Sequence, residues 1–152
     1  MAARKLLVVG ATGKQGGSLI TALSGTTPPP FQIFALTRDA TSPSAKRLDS
    51  MPNITVVEGS SSSPTSIFAA HKDIYGVFSM TMPRTKVSED DQAMSLIDES
   101  IKNGVSHFVF TSVDRGGDVV SDTNPTEIHH FATKHRIEQY LKKRIRETRS
   151  SM

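Results

Sequence analysis

The chain contains no cysteine. That excludes a disulfide framework, a cysteine-based zinc site and a thiol nucleophile. It also suits a reducing compartment. Long apolar runs are missing too: no stretch approaches the roughly 20 apolar residues needed to span a bilayer. The run Leu6-Leu-Val-Val9 is far shorter than the core of a signal peptide, and no cleavage site follows it. Tyrosine is scarce. Only Tyr75 and Tyr140 occur, and neither has a lysine four residues on. The sequence is expected to be that of a soluble cytoplasmic protein, with the nucleus as the alternative location and no membrane partner.

What is present fits a single folded domain. The 152 residues are 36% hydrophobic and 22% charged, a balance that does not point to general disorder. The net charge of +3 is unevenly placed. Residues 142–152 carry Lys142, Lys143, Arg144, Arg146 and Arg149 against Glu147 alone, so the basic character belongs to the C-terminal end. Cations there suit the last turns of a helix, where the dipole favours them. A nucleic-acid contact ranks below that reading.

Short apolar runs alternate with helical patterns along the chain. Lys5–Val9, Phe31–Thr37, Ile54–Glu58, Tyr75–Ser79 and Ser106–Thr111 read as strands. Helices are expected near residues 18–23, 44–51 and 64–71. A fourth starts at Ser88, with a serine cap and acids in its first turn, and closes at Gly104. The last spans about 127–146, with Ile137, Leu141 and Ile145 four apart. Five strand–helix alternations predict an α/β fold of Rossmann type: a doubly wound parallel sheet with right-handed crossovers. Residues 1–152 thus read as one NAD(P)-binding domain with a basic helix end. A full doubly wound sheet has a sixth strand, so the sequence reads as a truncated or fragmentary form. An unpaired sheet edge there favours a homodimer.

Gly10-x-x-Gly13-x-x-Gly16 lies between the first strand and the first helix. Gly10 permits the tight turn, Gly13 lets backbone approach a pyrophosphate, and Gly16 lets helix and strand pack closely. Thr12, Lys14 and Gln15 belong to the same loop and are expected beside the ligand. The loop's N–H groups and the helix dipole would face the phosphates. An acid at the end of the second strand would favour NAD; Thr37-Arg38 stands there instead. Arg38 offers a permanent planar cation for a 2′-phosphate, so the expected cofactor is NADP(H). The competing role for Arg38 is a surface ion pair with Asp39.

The glycine loop with Lys14-Gln15, then Thr37-Arg38, then Thr111-Ser-Val-Asp-Arg-Gly-Gly117, then His130-Phe-Ala-Thr-Lys134-His-Arg-Ile-Glu138 resemble the NmrA-like family of atypical short-chain dehydrogenases. The resemblance extends over residues 5 to about 143. It implies a Rossmann fold that binds NADP(H). The family ranges from dinucleotide-binding regulators with protein partners such as a transcription factor to reductases of the isoflavone-reductase-like branch. Two departures stand out. Ser60 occupies a position where members often have an acid, and the C-terminal region that completes the cleft in the family is absent from this sequence.

Catalytic chemistry is the more open question. A typical short-chain dehydrogenase uses Tyr-x-x-x-Lys after the fifth strand, the lysine assisting a phenol that gives or takes the proton. Here His130 stands four residues before Lys134. In one version Ser112 orients a substrate carbonyl while His130 or Lys134 supplies the proton. In the other, Lys134 only binds the nicotinamide ribose. Thr81 and Met82, after the fourth strand, are expected near the ribose and nicotinamide, because ligands bind at the carboxyl ends of such strands. His129, His130 and His135 lack a supporting carboxylate pattern, and no metal is expected. The favoured function is an NADP(H)-binding redox-sensing or transcription-regulating module without efficient turnover. The alternative is an NADPH-dependent reductase of a small carbonyl or ene substrate.

Overall fold

The computed structural model describes residues 2–151. Its five strands are β1 (Arg4–Val9), β2 (Phe31–Thr37), β3 (Ile54–Glu58), β4 (Ile74–Ser79) and β5 (His107–Phe110). They form one sheet in the order β3-β2-β1-β4-β5, with every pairing parallel. The helices are α1 (Lys14–Ser24), α2 (Pro43–Asp49), α3 (Thr65–Ala70), α4 (Glu89–Lys102), α5 (Asp118–Ser121) and α6 (His129–Ser150).

Side chains alternate across each strand, and both faces are used. Leu6, Val8, Ile33 and Ala35 pack with Ile20 of α1 and Leu48 of α2. Leu7, Val9, Phe34 and Leu36 turn the other way, onto Ile67 and Phe68 of α3 and Leu96 of α4. Burial on both faces explains why β1 and β2 read as continuous apolar runs. A third cluster joins α4 to α6 through Ala93, Ile97 and Ile137, with Phe108 and Phe110 of β5 beneath.

Several boundaries differ from the sequence expectation. α1 begins at Lys14, so Gly16 and Gly17 are helical. Gly16 is buried, and a Cβ there would overlap the Gly10 carbonyl. Contact between turn and helix, rather than helix propensity, selects glycine at that position. α6 starts at His129 and runs on to Ser150. Of its expected apolar stripe, Ile137 is buried but Ile145 is 38% exposed. Near the end of α6, Lys143, Arg146 and Arg149 are exposed, whereas Lys142 pairs with Asp122 and Arg144 with Asp98 of α4. The loop after β5 contains the short turn α5, which periodicity does not signal. Among the described residues, no helix is long and apolar enough to cross a membrane.

β1 leads to β2 on one side, whereas the connection from β3 through α3 crosses to β4 on the other. The strand order reverses between β1 and β4. In an open parallel sheet this is where a crevice opens above the carboxyl ends of the strands.

Candidate functional site: a cationic cleft at the switch point

A cleft of about 600 Å³ occupies that place. Its walls come from strand ends: Val9 and Gly10 after β1, Leu36 and Arg38 after β2, Gly59 and Ser60 after β3, Met80 and Met82 after β4. Thr12 and Gly13 line it from the glycine loop; Arg84, Thr85, Lys86 and Val87 line it from the segment before α4.

Gly10 has φ +66°, in the left-handed region, and Met80 lies where a Cβ would be. Glycine takes this backbone without strain and leaves room for the Met80 side chain. The Gly13 N–H donates to the Gly10 carbonyl at 2.9 Å, which closes the turn. Gly13 then serves as the N-cap of α1 without any side-chain cap. The first-turn N–H groups of a helix have no intrahelical partner, and here no side chain takes them up. Such an end suits an anion.

The charge of the cleft is one-sided. Its lining includes Arg38, Arg84 and Lys86 and no carboxylate. Arg38 is exposed, and among the described residues it makes no ion pair with Asp39. The Asp39 carboxylate is taken instead by the Thr41 hydroxyl at 2.6 Å and the Thr41 N–H at 2.8 Å. Those bonds hold its pKa below the usual carboxylate range.

Beside the cleft lies a polar cluster built on Glu89, at the start of α4. Lys134, buried on α6, ion-pairs with Glu89 Oε2 at 3.1 Å and donates to the Thr81 hydroxyl. Thr81 donates to the same Oε2 at 2.6 Å. His130 Nδ1 lies 2.7 Å from Glu89 Oε1. Burial would push the Glu89 carboxyl up, but hydrogen bonds from Thr81, Lys134 and His130 outweigh it and hold the pKa low. An ionised carboxylate only accepts, so Nδ1 carries the proton.

A second cluster sits at the base of the loop after β5. The Arg115 guanidinium, fully buried, pairs with Glu138 of α6 at 2.6 Å. It also donates to the carbonyls of Val113 at 3.1 Å, Asn124 at 2.9 Å, and Ser121. Ser112, at the exposed surface, donates its hydroxyl to Glu138. Burial acts to raise the Glu138 pKa, and the bonds from Arg115 and Ser112 bring it below the ordinary value.

The structure therefore divides the residues singled out in the sequence. Gly10, Thr12, Gly13, Arg38 and Met82 line the cleft. Gly16 packs under the turn; Lys14 and Gln15 are exposed in the first turn of α1 and are not among the lining residues. Thr81, Lys134 and His130 converge on Glu89 rather than on the cleft wall. Ser112 belongs to the Arg115 cluster. Glu89 and Gln92 were missed: in Ser88-Glu-Asp-Asp the acids read as helix-start residues, and nothing in the sequence distinguishes the inward one. Arg84 and Lys86 were missed because a loop's cations carry no periodicity. Among the described residues, no group of His, Asp and Glu is placed to hold a metal.

The model of the NmrA-like family matches residues 2–149. The chain belongs to this family. An NmrA-like family domain-containing oxidoreductase, hkm9 of Aspergillus hancockii, is 30% identical over 146 residues. That match covers 91% of this chain and 42% of the relative. Among solved structures, Nmra, a negative transcriptional regulator, in complex with NADP, aligns with a TM-score of 0.73 at 20% identity. It is matched over 93% of this chain and 42% of its own. The NADPH-dependent quinone oxidoreductase QOR2 of Escherichia coli, complexed with NADPH, gives 0.69 at 22%, over 95% and 45%. These structural likenesses establish a shared Rossmann-type fold. The chain spans less than half the length of each of these three relatives.

Proposed function

We propose that this NmrA-like chain binds NADP(H) in the switch-point cleft and acts as a redox-sensing or transcription-regulating module without efficient turnover. The observation that carries the binding is the cleft itself: a glycine turn and an uncapped helix start face a lining with three cations and no acid. A dinucleotide with a 2′-phosphate is the ligand such a surface suits. Gly10, Gly13 and the start of α1 would hold the pyrophosphate, and Arg38 the 2′-phosphate. The nicotinamide supplies or accepts a hydride when the cofactor is bound.

The regulatory half rests on how the proton-carrying groups are placed. Lys134 and His130 are engaged by Glu89, Ser112 by Glu138, and none of the three lines the cleft. Tyr140 donates to Asp98 at 2.8 Å, and Tyr75 stacks near Phe31 and His107, so neither phenol serves the site. Unequal affinity for the oxidised and reduced cofactor would then shift a conformational equilibrium. A protein partner such as a transcription factor, or a second copy at the open edge of β5, would read that shift. Cytoplasm, with access to the nucleus, is the proposed location.

The reductase reading keeps one observation in its favour. Lys134, Glu89 and His130 form a connected proton-bearing chain directly under the segment that follows β4. In that reading Lys134 or His130 is the acid, and Ser112 orients the substrate. Steady NADPH consumption with a small carbonyl or ene compound, lost in Lys134→Met, would establish it over the sensor.

Calorimetric titration with NADPH, NADP⁺, NADH and NAD⁺ tests the binding. The phosphorylated pair is expected to bind tighter. Arg38→Ala should weaken that pair by about tenfold or more relative to the other, the usual loss for a charge-assisted bond. An equal loss for both pairs would show that Arg38 does not contact the 2′-phosphate.

A further inference from the structure

Arg38 alone does not account for the charge of the cleft. A phosphomonoester carries a charge of about −1.5 to −2 at neutral pH, and Arg38 supplies one positive charge. Arg84 and Lys86 reach the same cleft from the segment between β4 and α4. Both are exposed, and among the described residues neither donates a side-chain hydrogen bond or joins an ion pair.

Their segment has a defined shape. The Gln92 side chain is dedicated to it, accepting from the Met82 N–H at 2.9 Å. Its amide also lies 3.0 Å from the Met82 carbonyl, the Thr85 hydroxyl and the Val87 carbonyl. Gln92 is 8% exposed, so these bonds are shielded from water. Arg84 itself has φ +59°. Residues other than glycine seldom adopt this region, and such conformations gather at functional sites. The backbone is bent at the residue that brings a guanidinium to the cleft.

We propose that Arg84 and Lys86 form a second cationic wall which, with Arg38, grips the 2′-phosphate of bound NADP(H) and sets its preference over NAD(H). The proposal rests on the NADP(H) reading above. The pyrophosphate already has backbone donors at the glycine turn. The 2′-phosphate is the group whose second negative charge would otherwise lack a partner.

The test uses Arg84→Asn with Lys86→Gln. Both replacements are uncharged, and asparagine tolerates a left-handed backbone. Wild type, this double variant, Arg38→Ala and the triple variant are each titrated with NADPH and NADH. The double variant is expected to lower the NADPH-to-NADH affinity ratio by about tenfold or more. Arg38→Ala should keep part of the preference, and the triple variant should lose it. Thermal melting is expected to be unchanged, since the two removed cations hold nothing else in place. A wild-type protein that binds neither nucleotide would overturn the dinucleotide reading and this proposal with it. A wild type that prefers NADPH while the double variant keeps the same ratio, or loses both nucleotides equally, would overturn only the second wall.

Discussion

Gly13 caps α1, and a Cβ built there would lie 3.3 Å from the Gly10 carbonyl oxygen. A valine would add two methyl groups at the wall of the cleft. Gly13→Val is therefore expected to abolish dinucleotide binding while leaving a folded protein; unchanged affinity in titration would remove the loop from the site. At this scale the sequence was readable where a residue's backbone role is local. Gly10 is favoured by the left-handed turn and Gly16 by its close approach to that turn, and their spacing announces it. Side-chain partners were not readable. Lys134 reaches Glu89 across 45 positions of sequence, and only the packing of α6 beside α4 brings them together.

Among the elements, the Arg115 cluster fastens the loop around α5 to α6. Arg115→Ala would strand the Glu138 carboxylate in a partly buried site. It should cost about 3–5 kcal/mol of stability, the range for breaking a buried pair from one side. Urea unfolding measures it; a loss under 1 kcal/mol would mean that the loop relaxes to let water in. At the start of α4, the Ser88 hydroxyl accepts from the Asp91 N–H at 3.0 Å. Ser88→Ala should lower stability by about 1 kcal/mol, seen in the same unfolding curve. That cap was legible in the sequence because capping is local. The length of α6 was not, since its last turns depend on propensity and ion pairs such as Arg144 with Asp98 at 2.8 Å.

For the whole molecule, acid is the expected denaturant. Hydrogen bonding holds Asp39, Glu89, Asp114, Asp122 and Glu138 below their ordinary pKa values. A depressed folded-state pKa stabilises the protein fully above the unfolded value, about 4 for carboxylates, and that stability is lost as pH falls through the folded value. The urea midpoint should therefore be level near neutrality and fall once pH drops below about 4.5. Glu89→Gln combined with Glu138→Gln should flatten that fall. A midpoint that stays level to about pH 3 in the unaltered chain would contradict the sign.

The sequence by itself determined the α/β alternation, the parallel sheet, the glycine turn and the place of Arg38. Each depends on local periodicity, on backbone conformation, or on the rule that strand ends face one crevice. The tertiary structure alone decided which charges meet. It left the cleft without a carboxylate, gave Lys134 and His130 a shared partner in Glu89, and brought Arg84 and Lys86 to the same cleft as Arg38. The cleft follows from the crossover between β3 and β4, which opens the sheet at the carboxyl ends of β1 and β4, and the Glu89 cluster follows from the packing of α6 beside α4. No local pattern records which side chains will face one another after that crossing.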